Sequence, residues 1–183
     1  MTTVSLRHDR SRLAAVAGVA GFALALAAAS QVAIPLPGTP VPLTLQPLLV
    51  VLAGMLLGPR LGAVSMAVYL AAGAAGMPVF APGATVGMAR LFSATGGYLI
   101  AYPVAAFVAG LLAQRASSFA PRALAAMTGI LVIYLGGLAQ LAILTGSVRT
   151  AALLGVLPFV AADAVKALVA AAITGQRGAR RGR

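Results

Sequence analysis

The sequence predicts an all-α integral membrane protein with six transmembrane helices and both termini in the cytoplasm. Of its 183 residues, 61% are hydrophobic and only 8% are charged, whereas soluble domains carry about a quarter charged residues. Its apolar runs are separated by short breaks, and several reach the roughly 17 to 25 residues that cross a hydrocarbon core of about 30 Å. Its arginines are concentrated at the chain ends and in alternate breaks.

The predicted spans form one membrane domain over residues 1–183, with an amino-terminal tail at 1–12 and a basic tail at 175–183. The second and third spans are short, and extra flanking turns or a locally thin bilayer would accommodate them. The six spans lie at about 13–33, 43–58, 61–76, 89–113, 123–144 and 151–174.

The breaks at 34–42 and 77–87 contain several prolines and glycines, which end helices and stiffen loops. Both lie on the predicted outer side. Ordered outer loops of this kind are suited to cover a site that opens to the exterior.

Arginine placement predicts the orientation. Ten of the twelve arginines fall on one side of a six-span arrangement, and only Arg90 and Arg149 fall on the other. Short cytoplasmic segments accumulate positive charge, so the ten mark the cytoplasm. The net charge of +11 does not indicate nucleic-acid binding, because the charges do not form one polar face. The first run also has features of a signal peptide, but a retained helix balances the topology.

Asp163 and Lys166 are the main candidates for a binding site. They lie three residues apart within the sixth span, and therefore on one helix face. Charges within a membrane face the protein interior, pair with one another and often mark a binding site or pathway. The alternative is a salt bridge that only holds helices together, although desolvation cancels most of the attraction in a buried pair.

Arg90 and Tyr98 lie at the outer part of the fourth span. Arg90 offers a planar donor fork that can hold a carboxylate, and the alternative is an arginine that reaches into the lipid headgroups. Tyr98 offers an aromatic wall and a hydroxyl, or is a plain core residue. Pro158 is expected to kink the sixth helix, which either makes room for a ligand or serves helix packing.

Other polar and small residues within the spans have a structural explanation by default. Interhelical hydrogen bonding accounts for polar side chains in apolar spans, here Gln31, Thr44, Gln46 and Gln140. Small residues recur every three or four positions in the first span, which allows close helix contact. They are Ala14, Gly18, Gly21, Ala25 and Ala29. The pattern leaves open whether the partner is an internal helix, another subunit or a second copy of this chain.

Four segments together resemble the BioY family, the biotin-specific subunits of energy-coupling-factor (ECF) transporters. They match in order and spacing across nearly the whole chain apart from its charged ends. The segments are IPLPGTPVPLTLQP at 34–47, AAGMPVFA at 74–81, TGGYL at 95–99 and PFVAADAVK at 158–166. The segment 89–94, which contains Arg90, departs from the Gly-rich pattern common in the family.

The resemblance implies a six-helix bundle of the S-component type in the cytoplasmic membrane, which binds biotin with high affinity from outside. The loop between the first two helices would cover the site. Uptake would require the membrane subunit EcfT and a pair of ATPases, which topple the loaded subunit. ATP would be used by those partners, and this chain would need no cofactor. The small-residue face of the first span would dock on EcfT.

The resemblance and the residue chemistry lead to one expected biotin site. Asp163 can accept from the ureido N–H groups, Lys166 can donate to the ureido oxygen or to the carboxylate, and Arg90 can hold the carboxylate. Tyr98 and apolar side chains would enclose the bicyclic ring. The expected biotin-binding residues are Thr44, Gln46, Arg90, Tyr98, Asp163 and Lys166.

Two other functions compete with biotin capture. An autonomous ion-coupled transporter often shows internal repeats, but the halves show none, and one carboxylate paired with lysine is a poor proton carrier. A membrane enzyme would need side chains for acid–base or metal chemistry. The chain does not supply them, because it has no Cys and its one His lies in the amino-terminal tail. We therefore expect neither catalytic residues nor a metal site.

Overall fold

The computed structural model describes residues 2–83 and 85–181, and the side chains of 11–83 and 85–176. This part of the chain is all-helical, as predicted, and contains no strand beyond one isolated bridge between Ile34 and Leu43. The helices are α1 (Thr2–Gln31), α2 (Gln46–Leu57), α3 (Pro59–Ala74), α4 (Met88–Leu91), α5 (Gly96–Ala113), α6 (Phe119–Thr145), α7 (Val148–Gly155) and α8 (Val160–Arg181), with a 3-10 turn at Leu157–Phe159.

Several helices begin or end at residues other than the predicted span ends. Pro59 begins α3 directly after Gly58, because the first turn of a helix needs no N–H from proline. α1 begins at Thr2, within the predicted tail, and α8 continues to Arg181. The tail side chains at 1–10 and 177–183 lie outside the described side chains.

Two predicted spans are interrupted. The fourth is divided into α4 and α5 by a turn at 92–95, so the segment TGGYL begins a helix instead of lying inside one. The sixth is broken between α7 and α8, where Pro158 sits in the 3-10 turn. Proline cannot supply the N–H of a continuous helix, and the expected kink is therefore a full break.

Four segments are long and apolar enough to cross a membrane. They are Ser11–Gln31, Gly96–Ala113, Phe119–Thr145 and Val148–Gln176, the last of which includes the break at Pro158. The shorter helices α2 and α3 have 12 and 16 residues. Several apolar segments of this kind support a multi-pass membrane protein.

Helix α5 is the centre of the bundle. It packs on α6, α3 and α2, while α8 packs on α6 and α2, and α1 packs on α3 and α2. The α2–α3 connection lies beside Gln114 at the end of α5, and Gly175 near the end of α8 lies beside the Arg122 side chain. We call this the arginine-rich end of the bundle, since it also carries Arg60 and Arg115.

Helices α2 and α5 approach so closely that glycine is required between them. A Cβ built on Gly54 would collide with the backbone carbonyl of Ala106, and one on Gly110 would meet the backbone of Gly54. Small residues allow such contact between membrane helices, where van der Waals packing drives association. The obstacle is backbone on both sides, so no side-chain rotation can relieve the collision.

We expect Gly54→Ala to destabilise the protein by about 1–3 kcal/mol, the usual cost of overpacking, seen as a lower thermal midpoint in detergent. Gly21→Ala is the matched control, because Gly21 is also helical but has no atom within 4 Å of an added Cβ. Replacing a helical glycine at such a site stabilises by roughly 0.5–1 kcal/mol. Equal shifts in the same direction for the two variants would contradict this account of the α2–α5 contact.

Candidate ligand-binding site

One cavity brings together all six residues that the sequence predicted as ligand contacts. It lies beneath the segment that joins α1 to α2 and is enclosed by α2, α4, α5, α6 and α8. The predicted residues that line it are Thr44, Gln46, Arg90, Tyr98, Asp163 and Lys166. Their contact with a ligand stays a prediction, but residues up to 122 positions apart in the chain meet at one place.

Asp163 and Lys166 form a buried ion pair in the first turns of α8. Their side chains are 4% and 9% exposed, and Lys166 Nζ lies 2.5 Å from Asp163 Oδ1. The short break at Pro158 starts α8 just before Asp163, which places the pair at the cavity wall. Each charge offsets the desolvation of the other, so both remain available as a donor and an acceptor in an apolar surrounding.

Tyr134 completes this charged group, and the sequence did not identify it. Tyr134 lies on α6, 29 residues before Asp163 in the sequence, and its hydroxyl donates to Asp163 Oδ2 at 2.6 Å. Tyr134 is buried and lines the same cavity. A signal was present, because a tyrosine within an apolar span needs a partner for its hydroxyl, but the partner depends on how α6 and α8 are rotated.

Arg90 is buried in α4 with part of its guanidinium unpaired. It is 8% exposed, Nη1 lies 3.4 Å from the Thr85 hydroxyl, and Nε has no hydrogen-bond partner. Among the described side chains the single salt bridge is the one between Asp163 and Lys166, so no carboxylate neutralises Arg90. An arginine that reaches into headgroups would be exposed. This one lines the cavity with donor capacity to spare.

Tyr98 presents its ring to the cavity and its hydroxyl elsewhere. The hydroxyl donates to the Gly155 carbonyl at 2.7 Å, at the end of α7. The hydroxyl thereby supplies a donor to one of the carbonyls that the break between α7 and α8 leaves without a helical partner. Of the two features expected from Tyr98, the aromatic wall is therefore available to a ligand and the hydroxyl is already engaged.

Thr44 and Gln46 form a smaller polar group at the start of α2. The Gln46 amide donates to the Tyr69 hydroxyl on α3 at 2.9 Å, and the Thr44 hydroxyl lies 3.4 Å from Gln46 Oε1. Gln46 thus makes the interhelical hydrogen bond expected by default and also lines the cavity. Its side-chain oxygen retains acceptor capacity.

Apart from Thr95, the rest of the cavity wall is apolar or aromatic, and sequence reasoning did not identify its members as ligand contacts. It includes Val41, Leu43, Tyr102, Ile133 and Phe159. A mostly apolar wall with a few convergent polar groups is the usual composition of a small-molecule site.

Residues 32–45, which we call the lid loop, cover the cavity and are held at two points. At the base, Ile34 and Leu43 exchange two backbone hydrogen bonds of 2.9 Å. Near the tip, the Thr39 hydroxyl donates to the Leu154 carbonyl of α7 at 2.6 Å and accepts from the Val41 N–H at 3.1 Å. The lid loop is therefore an ordered cover whose tip is held by one side chain.

The other two glutamines have structural roles. Gln31 donates to the Phe80 carbonyl at 3.2 Å, so it joins the end of α1 to the loop after α3. Gln140 donates to the carbonyls of Leu91 and Ser93 at 3.0 and 2.6 Å, and it joins α6 to the turn before α5. Interhelical and helix–loop bonding accounts for both.

Comparison with known proteins agrees with the resemblance seen in the sequence. The BioY family profile matches residues 2–182. The probable biotin transporter BioY of Pyrococcus horikoshii is 48% identical over 134 residues, covering 73% of this chain and 78% of that protein. The biotin transporter BioY of Thermotoga maritima is 41% identical over 143 residues, covering 76% and 82%.

A solved structure has the same fold. The crystal structure of the S-component for biotin from an ECF-type ABC transporter superposes with a TM-score of 0.84, covering 96% of this chain and 93% of that one. The two sequences are 23% identical, so the similarity is one of architecture.

Proposed function

Because the chain belongs to the BioY family, we propose that it captures biotin and serves its uptake across the cytoplasmic membrane as the substrate-specific subunit of an ECF-type transporter. It is a transporter subunit and not an enzyme. The observation that carries the proposal is a covered, mostly apolar cavity in which the Asp163–Lys166 pair and the partly unpaired guanidinium of Arg90 converge.

The ureido end of biotin matches the charged group on α8. In a cyclic urea, an N–H donor and the C=O acceptor lie side by side on one ring edge. Asp163 supplies an acceptor and Lys166 a donor 2.5 Å apart, so the pair can bind that edge with two charge-assisted hydrogen bonds. The apolar bicycle would then contact aromatic side chains such as Tyr98, Tyr102 and Phe159.

The carboxylate end of biotin matches Arg90. The free Nε and the neighbouring Nη form one edge of the guanidinium fork, which binds carboxylates in a bidentate manner. Thr44 and Gln46 at the start of α2 complete the polar contacts. One ligand would thus satisfy both charged groups of the cavity and cover its apolar wall.

Equilibrium binding to the detergent-purified protein tests the proposal. We expect biotin to bind in the micromolar range or tighter, desthiobiotin to bind because it retains the ureido ring and carboxylate, and thiamin and riboflavin not to bind. Folded protein that binds none of the four, or binds all of them equally, would overturn the assignment.

We propose a six-span topology with both termini in the cytoplasm. Helices α2 and α3 would cross as short spans beside the four long segments. Three arginine-containing segments meet at the arginine-rich end, namely the α2–α3 connection, the α5–α6 connection and the last part of α8. The positive-inside rule assigns this end to the cytoplasm. Thiol labelling of single cysteines at Ala116 and Gly146 from outside intact cells should modify only the second.

We propose that uptake uses an EcfT-type membrane subunit and paired ABC ATPases, so ATP is hydrolysed by those partners. Gly21 and Ala25 on α1 are exposed and leave a small-residue face open to a partner. Biotin uptake with and without co-expressed EcfT and ATPases tests this. Equal uptake in the two cases would favour autonomous transport.

We expect Thr39→Val to accelerate biotin release about five- to tenfold, since one neutral hydrogen bond contributes about 1 kcal/mol. Valine keeps the shape of threonine but cannot donate to the Leu154 carbonyl, so the lid loop loses its tip contact. Dissociation of labelled biotin after a chase with excess unlabelled ligand measures the rate. Thr39→Ser retains the hydroxyl and should release biotin nearly as slowly as wild type. Unchanged release from Thr39→Val would show that the tip contact does not hold the ligand in.

A further inference from the structure

The Asp163 carboxylate is held from two different helices. Oδ1 accepts from Lys166 on its own helix at 2.5 Å, and Oδ2 accepts from the Tyr134 hydroxyl on α6 at 2.6 Å. All three side chains are buried and line the cavity. Each carboxylate oxygen therefore has one acceptor position occupied by a protein donor.

The Tyr134 hydroxyl restricts a rotation of the Asp163 carboxylate that Lys166 alone would permit. An aspartate carboxylate turns easily about its last bond, because the torsion to an sp² group is broad. Lys166 alone holds one oxygen and permits this rotation. A donor on the other oxygen, from the neighbouring helix α6, sets the carboxylate plane relative to the cavity.

The hydrogen bond from Tyr134 to Oδ2 also limits how many hydrogen-bond donors of a ligand Asp163 can accept. Each carboxylate oxygen can accept about two hydrogen bonds, so Tyr134 leaves Asp163 with fewer open positions. Lys166 beside it requires an acceptor from the ligand. The group is thus matched to one N–H next to one C=O, and it disfavours a ligand with donors in both positions.

We propose that Tyr134 is a positioning residue that sets Asp163 for the N–H/C=O edge of a cyclic urea and so discriminates it from a cyclic guanidinium. The inference rests on the proposed function. 2-Iminobiotin is the suitable probe, because it replaces the ureido oxygen with nitrogen and its guanidine is protonated at neutral pH. It therefore places donors opposite Lys166 while retaining the bicycle and carboxylate of biotin.

The test compares biotin and 2-iminobiotin binding to wild type, Tyr134→Phe and Ser65→Ala. Ser65 is a fully buried residue that donates to the Val19 carbonyl at 2.8 Å outside the cavity, so its variant controls for loss of a buried hydrogen bond. We expect Tyr134→Phe to weaken biotin about tenfold, as for a hydrogen bond to a charged group. The freed Oδ2 should keep 2-iminobiotin binding nearly unchanged, so discrimination falls about tenfold. Ser65→Ala should leave discrimination as in wild type.

Equal weakening of both ligands by Tyr134→Phe, or no weakening of biotin, would overturn the positioning role while leaving biotin capture intact. Absence of biotin binding by wild type would instead overturn the proposed function. If Tyr134→Phe does not fold, 3,5-difluorotyrosine at position 134 preserves the fold and makes the hydroxyl a stronger donor. Discrimination should then rise above that of wild type, and unchanged discrimination would reject the inference.

Discussion

Asp163→Asn and Lys166→Met are each expected to weaken biotin binding by at least about 100-fold. Each variant removes a proposed charge-assisted contact to the ureido edge. Truncating one partner of a buried charged contact costs about 2–5 kcal/mol of binding free energy, and every 1.4 kcal/mol is about tenfold in affinity. The charge left unpaired in the protein also destabilises the fold, by roughly 3–5 kcal/mol. Isothermal titration of the purified variants with biotin measures the loss, and thermal unfolding without ligand measures the cost to the fold.

The double variant Asp163→Asn/Lys166→Met separates a binding role from a purely structural one. With both charges removed, no ion is left buried and unpaired, so the thermal midpoint should recover relative to either single variant. Biotin binding should not recover, because the charged donor and acceptor are gone. A double variant that is stable and binds biotin as wild type does would mean that the pair only holds α8 in the bundle.

Arg90→Gln is expected to weaken biotin binding about 100-fold and to leave the binding of biotin amide nearly unchanged. The guanidinium of Arg90 is buried and has no carboxylate partner among the described side chains, and truncating one partner of a buried charged contact costs 2–5 kcal/mol. The amide has no charge to lose at that end, so the ratio of the two affinities isolates the contact.

Two further variants define the chemistry at this position. Arg90→Lys keeps the charge but not the bidentate fork, so it should recover only part of the biotin affinity. Arg149→Gln changes an exposed arginine outside the cavity and should have no effect on either ligand. Equal losses of biotin and biotin amide in Arg90→Gln would assign Arg90 to the fold and not to the ligand.

The sequence predicted those parts of the site that are conspicuous along the chain. Asp163 and Lys166 stand out because charges are rare within an apolar span, and Arg90 because it falls on the side with few arginines. Tyr134 was missed because its role depends on the rotation of α6 against α8, which apolar periodicity does not determine in a bundle surrounded by lipid.

The fold was predictable to a similar depth. Apolar length marks helices, and the all-helical architecture followed from it. Apolar length does not distinguish a kink from a break. The turn at 92–95 and the interruption at Pro158 were therefore not predicted and are seen only in the structure. At the interruption near Pro158, the carbonyl of Gly155 accepts a hydrogen bond from the Tyr98 hydroxyl. No local sequence pattern predicts this contact.

The charges around the cavity do not cancel while it is empty. Arg90 and Lys166 contribute two positive charges and Asp163 one negative, so the vacant cavity has a residual charge of +1, and a bound carboxylate brings the sum to zero. The electrostatic self-energy of a region in a low-dielectric medium grows with the square of its net charge. Any movement that carries this region through the hydrocarbon is therefore less costly for the occupied subunit than for the vacant one. In the proposed transporter, electroneutrality would therefore favour the movement of loaded subunits over that of empty ones.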